Sequence, residues 1–303
     1  MLETLEGSDT WIWHMRHGAF EEAWKFSDKV IKSGINRDYL NTPRHYQCIW
    51  DGTPLNGKRV LVRCYHGLGD TIMFIRYTAL LKEIASEVIV WAQPELLKLL
   101  TTAKGIDRLI PLHNGTPDVT YDIDIELMEL PHAFRTTLSS IPSESPYLHV
   151  HPISLPNENS ALKIGLVWQA GDWDQSRNIP FSIIKQLGEK KGTSFYILQY
   201  NPELAGWDKT FGIYPGKMKL LDYARFIHSL DLLISVDSMP AHLAGAVNTP
   251  VWLMLKKKAD WRWMEDRTNS PWYPSMRLFR QPTEGAWETV IRKIKEELTT
   301  PDP

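Results

Sequence analysis

The turn at Asp237, Ser238 and Met239 joins residue types that could bind a phosphate. It follows an apolar run at residues 231–236, which is typical of a strand buried on both faces of a parallel sheet. A short helical pattern begins after the turn, and a helix N-terminus offers N–H groups and a positive partial charge to an anion. His242, one turn into that helix, could donate to a phosphate or a sugar hydroxyl. We therefore expect a phosphorylated ligand here. The alternative is that Asp237 only caps the helix and His242 is a satisfied core histidine.

A second turn of the same kind contains Gly67, Gly69 and Asp70. It lies between a predicted strand at residues 58–65 and a predicted helix at residues 72–84, so Asp70 stands at or near the helix cap. The glycines allow the backbone to turn sharply or to approach a ligand. The third glycine of the dinucleotide-binding fingerprint is missing, so this turn alone does not predict a dinucleotide.

The elements around these turns alternate between strand and helix, which indicates mostly parallel sheets. The other predicted strands cover residues 87–91, 108–110, 121–125, 163–168, 194–199, 211–214 and 251–255. The other predicted helices cover residues 95–102, 127–138, 181–188, 221–230 and 286–298. A helical pair at residues 11–33 resembles one tetratricopeptide unit, and a segment rich in Pro and Ser at residues 139–159 is typical of a linker.

These patterns predict an α/β chain with a short N-terminal helical hairpin and two Rossmann-like domains. We place the hairpin at residues 1–48, the two domains at 49–155 and 156–285, and a C-terminal helix at 286–303. The carboxyl ends of the two sheets are expected to face a central cleft, with Asp70 on one wall. Such a cleft suits an enzyme that brings two substrates together.

Composition limits the classes of function. The chain has 303 residues with 43% apolar content, and 34 basic against 36 acidic residues argue against a large nucleic-acid footprint. Cys48 and Cys64 are the only cysteines, and neither has a partner at metal-ligand spacing. The sequence has no apolar run of the roughly 20 residues that span a bilayer, and its first residues lack the features of a signal peptide. We therefore expect no integral membrane segment and a cytoplasmic location.

Taken together, the motifs resemble the heptosyltransferase-like, family 9 glycosyltransferases of the GT-B fold, especially the subgroup attached to tetratricopeptide repeats. The match covers roughly residues 50–285. It rests on three motifs: Gly67-Leu68-Gly69-Asp70-Thr71, Asp237-Ser238 with His242-Leu243-Ala244-Gly245-Ala246, and Asp260-Trp261-Arg262-Trp263 through Ser270-Pro271-Trp272-Tyr273-Pro274. The resemblance implies that residues 49–155 bind the acceptor and that residues 156–285 bind a nucleotide sugar.

Roles for single residues follow from the same resemblance. Asp70 matches the proposed general base of the family, and Gly67 and Gly69 match its acceptor or phosphate loop. The implied donor-binding residues are Arg177, Glu203, Met218, Asp237, Ser238, Met239 and His242. Within this set, Arg177 is the basic residue three before a proline that would belong to the donor site. Glu203 is the acidic residue that would reach the ribose, and Met218, nineteen residues before Asp237, would lie by the base. Ser238 and Met239 replace the usual Thr-Gly of the family, and Met218 could instead be a core residue.

The first hypothesis is an inverting glycosyltransferase that moves a sugar from a nucleotide-diphosphate donor, with an ADP-heptose-like donor favoured by the resemblance. The acceptor would be a hydroxyl on a glycan, a lipid-linked glycan or a protein, and the near-neutral charge disfavours nucleic acid. No metal and no further cofactor are expected, because fixed positive groups would stabilise the leaving diphosphate. The alternatives are a degenerate transferase that acts as a non-catalytic binding module, and a nucleotide-sugar epimerase of the same architecture.

Overall fold

A computed structural model describes residues 5–34, 41–156, 162–188 and 191–299. Within these residues the chain forms two compact units: residues 1–149 with Asp260–Glu265, and residues 150–259 with 266–303. Residues 260–265, which the sequence analysis assigned to the C-terminal domain, thus lie in the first unit. Residues 157–159 of the predicted linker lie outside the described residues. Within the described ranges, no helix has both the length and the apolar character needed to cross a membrane.

The first unit begins with the predicted helical hairpin, formed by α1 (Leu5–Arg16) and α2 (Phe20–Ser33). Gly18 joins the two helices with a φ of 73°, a conformation that favours glycine. The hairpin is tied to the rest of the unit by a buried hydrogen bond of 2.7 Å from Trp24 Nε1 to the carbonyl of Thr136. The helical pair is therefore confirmed and is part of the first unit, and its relation to tetratricopeptide repeats stays a prediction.

The sheet of the first unit has four parallel strands in the order β3-β2-β1-β4. The strands are β1 (Arg59–Arg63), β2 (Glu87–Ala92), β3 (Arg108–Pro111) and β4 (Ile123–Glu126). The α-helices between and after them are α3 (Leu68–Phe74), α4 (Tyr77–Ile84), α5 (Leu97–Leu100) and α6 (Leu130–Ala133). The connection from β1 leads to β2, whereas β4 lies on the other side of β1, so the direction of winding reverses between β1 and β4.

Two predicted helices of this unit are shorter than their sequence pattern. The helix predicted at residues 72–84 is divided into α3 and α4 at Ile75 and Arg76. The Arg76 side chain turns back at this break and donates to the carbonyl of Met73 at 2.8 Å, so an arginine satisfies a carbonyl near the end of α3. The helix predicted at residues 127–138 consists of a 3-10 turn and α6, and it ends before Arg135, which has a φ of 50°.

The second unit has a five-stranded parallel sheet in the order β6-β5-β7-β8-β9. Its strands are β5 (Leu162–Val167), β6 (Thr193–Ile197), β7 (Leu232–Val236), β8 (Val251–Leu255) and β9 (Met276–Arg280). Its α-helices are α7 (Phe181–Ile184), α8 (Leu220–His228), α9 (Met239–Ala246) and α10 (Trp287–Thr299). The sequence analysis did not predict β9, and the strand it predicted at residues 211–214 is a single bridge between Tyr196 and Ile213.

Winding in the second sheet reverses between β5 and β7, because β6 lies on one side of β5 and the later strands lie on the other. In open parallel sheets, ligands bind at the carboxyl ends of the strands beside such a reversal. The two parallel α/β units match the GT-B class that the sequence analysis predicted. Each sheet therefore has one place where a ligand is expected, beside β1 and β4 in the first unit and beside β5 and β7 in the second.

Candidate functional site

Asp70 lies at the reversal point of the first sheet. It is the third residue of α3 and follows the N-cap Gly67, so it is inside the first helical turn and is not the cap residue. Its Oδ2 accepts the N–H of Gly67 at 3.1 Å, and its Oδ1 accepts from Arg262 Nη2 at 2.7 Å. A carboxylate in this position is stabilised by the positive end of the helix. Because 28% of its side chain is exposed, Asp70 can also be reached by a ligand.

The two glycines of this turn are not needed for a left-handed backbone. Gly67 has φ −69° and ψ 162°, an extended conformation that other residues adopt, and Gly69 lies within α3. The role in a sharp turn that the sequence suggested is therefore not what the structure shows for these glycines. A Cβ atom on residue 67 would lie 3.3 Å from Oδ2 of Asp70, so glycine here leaves room beside the carboxylate.

Arg262 is a partner of Asp70 that the sequence analysis quoted in a motif without giving it a role. Its side chain is only 9% exposed, and its Nη1 donates to Asp260 Oδ1 at 2.8 Å. Asp260 also accepts the backbone N–H of Arg262 at 3.0 Å and so caps the 3-10 turn Trp261–Trp263. The guanidinium lies over the rings of Trp261 and Phe74, at 4.8 and 5.4 Å from their centroids. Arg262 is thus fixed on several sides, and it fixes one oxygen of Asp70.

The N-terminal hairpin contributes to this arrangement through Trp261. The Trp261 ring meets the ring of Trp11 edge-on with 5.7 Å between centroids, and the ring of Phe20 in the same manner at 6.4 Å. On its other side Trp261 stacks on Phe74 of α3 at 6.3 Å. The hairpin therefore supports the turn that presents Arg262 to Asp70.

Two carboxyl groups at the end of β4, the buried Glu126 and the half-buried Glu129, were also missed. Glu126 caps the 3-10 turn Leu127–Glu129: its Oε2 accepts the N–H of Met128 at 2.6 Å, while Glu129 accepts the N–H of Glu126 at 2.8 Å. Two glutamates three residues apart directly after a strand are the sequence signal of this reciprocal cap. It shows that the end of β4 is built around carboxyl groups.

Burial changes the protonation of these groups. It raises the pKa of Glu126 well above its usual range, and the nearby charges of Glu129 and Asp70 act in the same direction. It also raises the pKa of Glu129 to about 7, although backbone N–H donors oppose the change. His66 Nε2 lies 3.7 Å from Glu126 Oε2, and burial lowers the pKa of His66 to about 4, although Asp70 opposes the change. At neutral pH His66 is therefore uncharged, and the raised pKa of Glu126 favours the protonated, neutral form of that carboxyl group.

The predicted phosphate turn lies at the reversal point of the second sheet. Ser238, and not Asp237, is the N-cap of α9, and its Oγ donates to the carbonyl of Val236 at 3.2 Å and makes no capping hydrogen bond in the described chain. Met239 is the first residue of α9 and is half-buried. The side chain of the cap thus leaves the first N–H groups of α9 to other partners.

His242 is buried and belongs to a short polar chain. Its Nδ1 lies 3.0 Å from the hydroxyl of Tyr273, and its Nε2 lies 3.9 Å from Oδ1 of Asp237. Gly245 allows this contact, because a Cβ atom there would lie 2.3 Å from Cδ1 of Tyr273. The imidazole therefore has one ring nitrogen in the core, and its other nitrogen is directed towards the Asp237 carboxylate at the turn.

Arg177 reaches the same turn from the loop after β5. Its Nη1 donates to the carbonyl of Asp237 at 2.9 Å, and its Nε donates to the carbonyl of Asp174 at 3.3 Å. Lys256, at the carboxyl end of β8, donates to Asp174 Oδ2 at 2.5 Å and to Ser176 Oγ at 2.9 Å. Burial raises the pKa of Asp174, but the hydrogen bonds from Lys256 and Ser176 outweigh it and lower the pKa to about 2. The structure thus brings Arg177, Asp237, Ser238 and His242 together and adds Lys256.

Glu203 and Met218 lie on the segment that leads from the carboxyl end of β6 to α8. Glu203 is exposed and pairs with Lys209 at 3.7 Å. Met218 is half-buried just before α8 begins. These two residues therefore lie beyond β6, while Arg177 and Asp237 lie beside β5 and β7.

Comparison with known proteins gives matches in sequence and in fold. The family model of glycosyltransferase family 9 (heptosyltransferase) matches residues 203–263. The protein FlbA of Caulobacter vibrioides is 24% identical over 295 residues. The match covers 82% of this chain and 48% of FlbA. This chain thus spans about half the length of that curated relative.

Two solved structures are similar over most of the chain. A family 9 glycosyl transferase from Veillonella parvula is 13% identical with a TM-score of 0.57 and covers 83% of this chain and 92% of its own. The heptosyltransferase WaaC of E. coli, solved with ADP-2-deoxy-2-fluoro heptose, is 13% identical with a TM-score of 0.54 and covers 79% of this chain and 98% of its own. At this level of identity the likeness shows the fold. Together with the sequence match, these findings support a sugar transferase, and they confirm that the chain resembles the heptosyltransferase-like glycosyltransferases of family 9.

Proposed function

We propose that this protein is an inverting glycosyltransferase that takes a sugar from a nucleotide-diphosphate donor and transfers it to an acceptor hydroxyl. The observation that carries the proposal is the meeting of Arg177, Asp237 and the start of α9 at the reversal point of the second sheet. A cationic side chain and a helix N-terminus at one place favour a diphosphate. The family match at residues 203–263 includes this turn.

The second unit would hold the donor. Arg177 is attached to the turn by its Nη1 and Nε atoms, so its guanidinium has further N–H groups for phosphate oxygens. Lys256 holds Asp174 and Ser176, and through them the loop that carries Arg177. As the donor bond breaks, negative charge grows on the diphosphate, and fixed positive groups stabilise it without reorganisation.

The first unit would supply the base. An acceptor O–H gives its proton to Asp70, its oxygen forms a bond to the anomeric carbon, and the bond from that carbon to the diphosphate oxygen breaks. The nucleoside diphosphate leaves with the electron pair, and the anomeric centre is inverted. Arg262 and the N–H of Gly67 hold the two oxygens of Asp70, each of which keeps a lone pair for the incoming proton. The position of the carboxylate is thereby fixed before the acceptor arrives.

An ADP-heptose-like donor is favoured by the likeness to WaaC, whose structure was obtained with an ADP-heptose analogue. We propose a glycan, a lipid-linked glycan or a protein as the source of the acceptor hydroxyl. We also propose that transfer needs no metal ion, since Arg177 and the α9 N-terminus supply positive charge where the diphosphate would lie.

Calorimetric titration with ADP, UDP and GDP tests the donor half, with magnesium and with EDTA in separate runs. We expect a nucleoside diphosphate to bind in EDTA, and the absence of binding under all conditions would refute the proposal. Mass spectrometry of the donor incubated alone then separates the classes of function. A rearranged free nucleotide sugar would identify an epimerase, whereas binding without hydrolysis or transfer to any offered acceptor would indicate a non-catalytic module.

A further inference from the structure

The side chain of Gln93 contacts the turn that carries Asp70 at both ends. Its Nε2 donates to the carbonyl of His66 at 2.8 Å, and its Oε1 accepts the hydroxyl of Thr71 at 3.0 Å. His66 comes directly before Gly67, the N-cap of α3, and Thr71 follows Asp70 within that helix. A carbonyl can only accept a hydrogen bond, so the contact with His66 fixes the orientation of the amide. One side chain thus joins the beginning of the turn to the helix that follows it.

The order of the strands brings Gln93 to this turn, although it lies 27 positions from His66 in the sequence. Strand β2 pairs with β1 in parallel, and beyond β1 the N–H of Cys64 still donates to the carbonyl of Trp91 at 3.0 Å. Gln93 follows directly after β2 and therefore lies beside the turn that follows β1. Among the described residues, its side chain makes no capping hydrogen bond to the 3-10 turn Pro94–Leu96. The amide of Gln93 therefore serves the neighbouring turn and not its own segment.

The contact with His66 acts on the same peptide group that holds Asp70. The carbonyl of His66 and the N–H of Gly67 belong to one planar peptide group, so a fixed carbonyl direction also fixes the N–H direction. That N–H donates to Asp70 Oδ2 at 3.1 Å, while Arg262 holds Oδ1 at 2.7 Å. Hydrogen bonds at the two ends of a peptide group also strengthen one another. Gln93 therefore sets the direction of one of the donors that hold the Asp70 carboxylate.

The glycine in this peptide group makes an outside support necessary. A Cβ atom on residue 67 would lie 3.3 Å from Asp70 Oδ2, so glycine leaves room beside the carboxylate. Glycine also has more backbone freedom to lose than any other residue when a turn is ordered. Gly67 is exposed, so packing does little to hold its backbone. The direction of the Gly67 N–H thus depends on a hydrogen bond from elsewhere, and Gln93 supplies it.

We propose that Gln93 is a positioning residue for the candidate base Asp70. By holding the His66–Gly67 peptide group, it keeps the Gly67 N–H on Oδ2 and keeps the carboxylate oriented for the incoming proton. This inference rests on the proposed function, because Asp70 acts as a base only if the protein transfers a sugar. Gln93 takes no part in the proton transfer itself, and its effect on the rate passes through Asp70.

Gln93→Met tests the proposal, because methionine has a similar length and shape and makes neither of the two hydrogen bonds. Tyr147→Phe is the matched control, since the Tyr147 hydroxyl also makes two hydrogen bonds at α3. It accepts from Arg76 Nη2 at 2.8 Å and donates to the carbonyl of Ile72 at 3.0 Å. Both variants should melt at a lower temperature by similar amounts, and calorimetry should show unchanged affinity for nucleoside diphosphates. ADP-heptose, UDP-glucose and GDP-mannose are offered to the full chain with water as the acceptor, and the released nucleoside diphosphate reports the rate.

We expect Gln93→Met to lower this rate roughly 10- to 100-fold and Tyr147→Phe to keep it within about 2-fold of the wild type. In the Asp70→Asn background, Gln93→Met should slow the reaction by less than about 2-fold further, because no base remains to be positioned. A Gln93 that only ties β2 to α3 would leave the rate of the folded protein unchanged, or would add its full loss to that of Asp70→Asn. Either result refutes the inference and leaves the proposed function standing. If the wild type cleaves none of the probes, the inference fails together with the proposed function.

Exchange of the Gly67 amide proton with water gives a readout that needs no substrate. NMR on isotope-labelled protein should show this exchange about 2- to 12-fold faster in Gln93→Met, which corresponds to about 0.5–1.5 kcal/mol for a weakened hydrogen bond. Tyr147→Phe should leave the exchange unchanged. Equal exchange in the wild type and in Gln93→Met would show that Gln93 does not hold the Gly67 N–H, and the inference would then be wrong whatever the rates.

Discussion

Replacement of Asp70 by asparagine separates proton transfer from structure, because the contacts of this side chain are known on both oxygens. Asparagine keeps the shape but has one oxygen and one NH2 group. It can accept from either Arg262 or the N–H of Gly67, and its NH2 group then faces the other donor. The ion pair with Arg262 is lost in either orientation of the amide, at a cost of about 1.5–3 kcal/mol in the free energy of unfolding. Because Asp70 is 28% exposed, solvent screening places the loss at the lower end.

The expected loss of turnover is larger than this loss of stability. Removal of a general base lowers the rate by roughly 10²–10⁴-fold, which corresponds to about 3–5 kcal/mol in the activation free energy. A loss of about 1.5 kcal/mol lowers the melting temperature by about 3–6 °C and leaves almost all molecules folded well below it. Unfolding therefore cannot account for the lost rate in an assay at 25 °C. Donor affinity should stay unchanged, because the predicted donor residues lie in the second unit.

Arg262→Ala is the matched control, since it breaks the same ion pair and keeps the carboxylate. We expect it to lower the melting temperature at least as much as Asp70→Asn, because Asp260 and the Trp261 ring also lose their partner. Its turnover should fall less than that of Asp70→Asn, and the double variant should be as slow as Asp70→Asn. Transfer rates, donor affinity and melting curves on the three variants decide the matter. Near-normal transfer by Asp70→Asn, or equal losses of transfer rate in the two single variants, would show that Asp70 does not accept the proton.

Three further predictions concern the two units separately. Arg177→Ala should weaken nucleoside diphosphate binding by roughly 10- to 150-fold through the loss of charge-assisted hydrogen bonds. Calorimetry with Lys185→Ala as the control measures this effect, and equal affinities of the two variants for the nucleotide would contradict the prediction. Gly245→Ala should destabilise the protein by about 1–3 kcal/mol, because the new methyl group would lie 2.3 Å from the Tyr273 ring. If this clash is the cause, the double variant Gly245→Ala/Tyr273→Leu should melt at a higher temperature than Gly245→Ala. His66 stays neutral in the folded protein down to its pKa of about 4, whereas its pKa in the unfolded chain is near 6.5. The free energy of unfolding should therefore fall by up to about 3 kcal/mol as the pH drops from 6.5 to 4. Urea unfolding of the wild type and of His66→Asn over this range should show the steeper fall only in the wild type.

The strands and helices that the sequence predicted well are those with a local signal. Strand β7 corresponds to the run at residues 231–236, and β8 corresponds to the run at 251–255. Helix α9 corresponds to the short helical pattern predicted after the turn between them, and each of the three agrees within one or two residues. Each is a short apolar segment between turn residues, so neighbouring residues alone determine it. Strand β9 was missed because its residues follow a segment rich in Trp and Pro that has no strand period. Its place at the sheet edge depends on pairing with β8.

The partners of the candidate base depended on contacts that no local pattern contains. Arg262 is 192 positions from Asp70 in the sequence, and its turn belongs to the first unit although the strands before and after it belong to the second. Glu126 and Glu129 could have been recognised from their spacing as a reciprocal cap. The burial of Glu126, which raises its pKa, follows only from the position of β4 beside β1. Spacing in the sequence thus identifies residue types for a site, and the order of the strands decides which of them meet.

The contacts of Lys256 also depend on strand order and could not be predicted from its neighbours in the sequence. In the sequence it is the first of three lysines, a pattern that suits a solvated loop as well as a phosphate site. In the structure it binds Asp174 and Ser176, which lie 82 and 80 positions away, because the sheet order brings the carboxyl end of β8 near the loop after β5. The negative charge of Asp174 is thereby satisfied by Lys256, and Arg177 contacts Asp174 only through its backbone carbonyl. The positive charge of Arg177 thus lies at the turn where we propose that a diphosphate binds, and Lys256 supports the loop that carries Arg177 through Asp174 and Ser176.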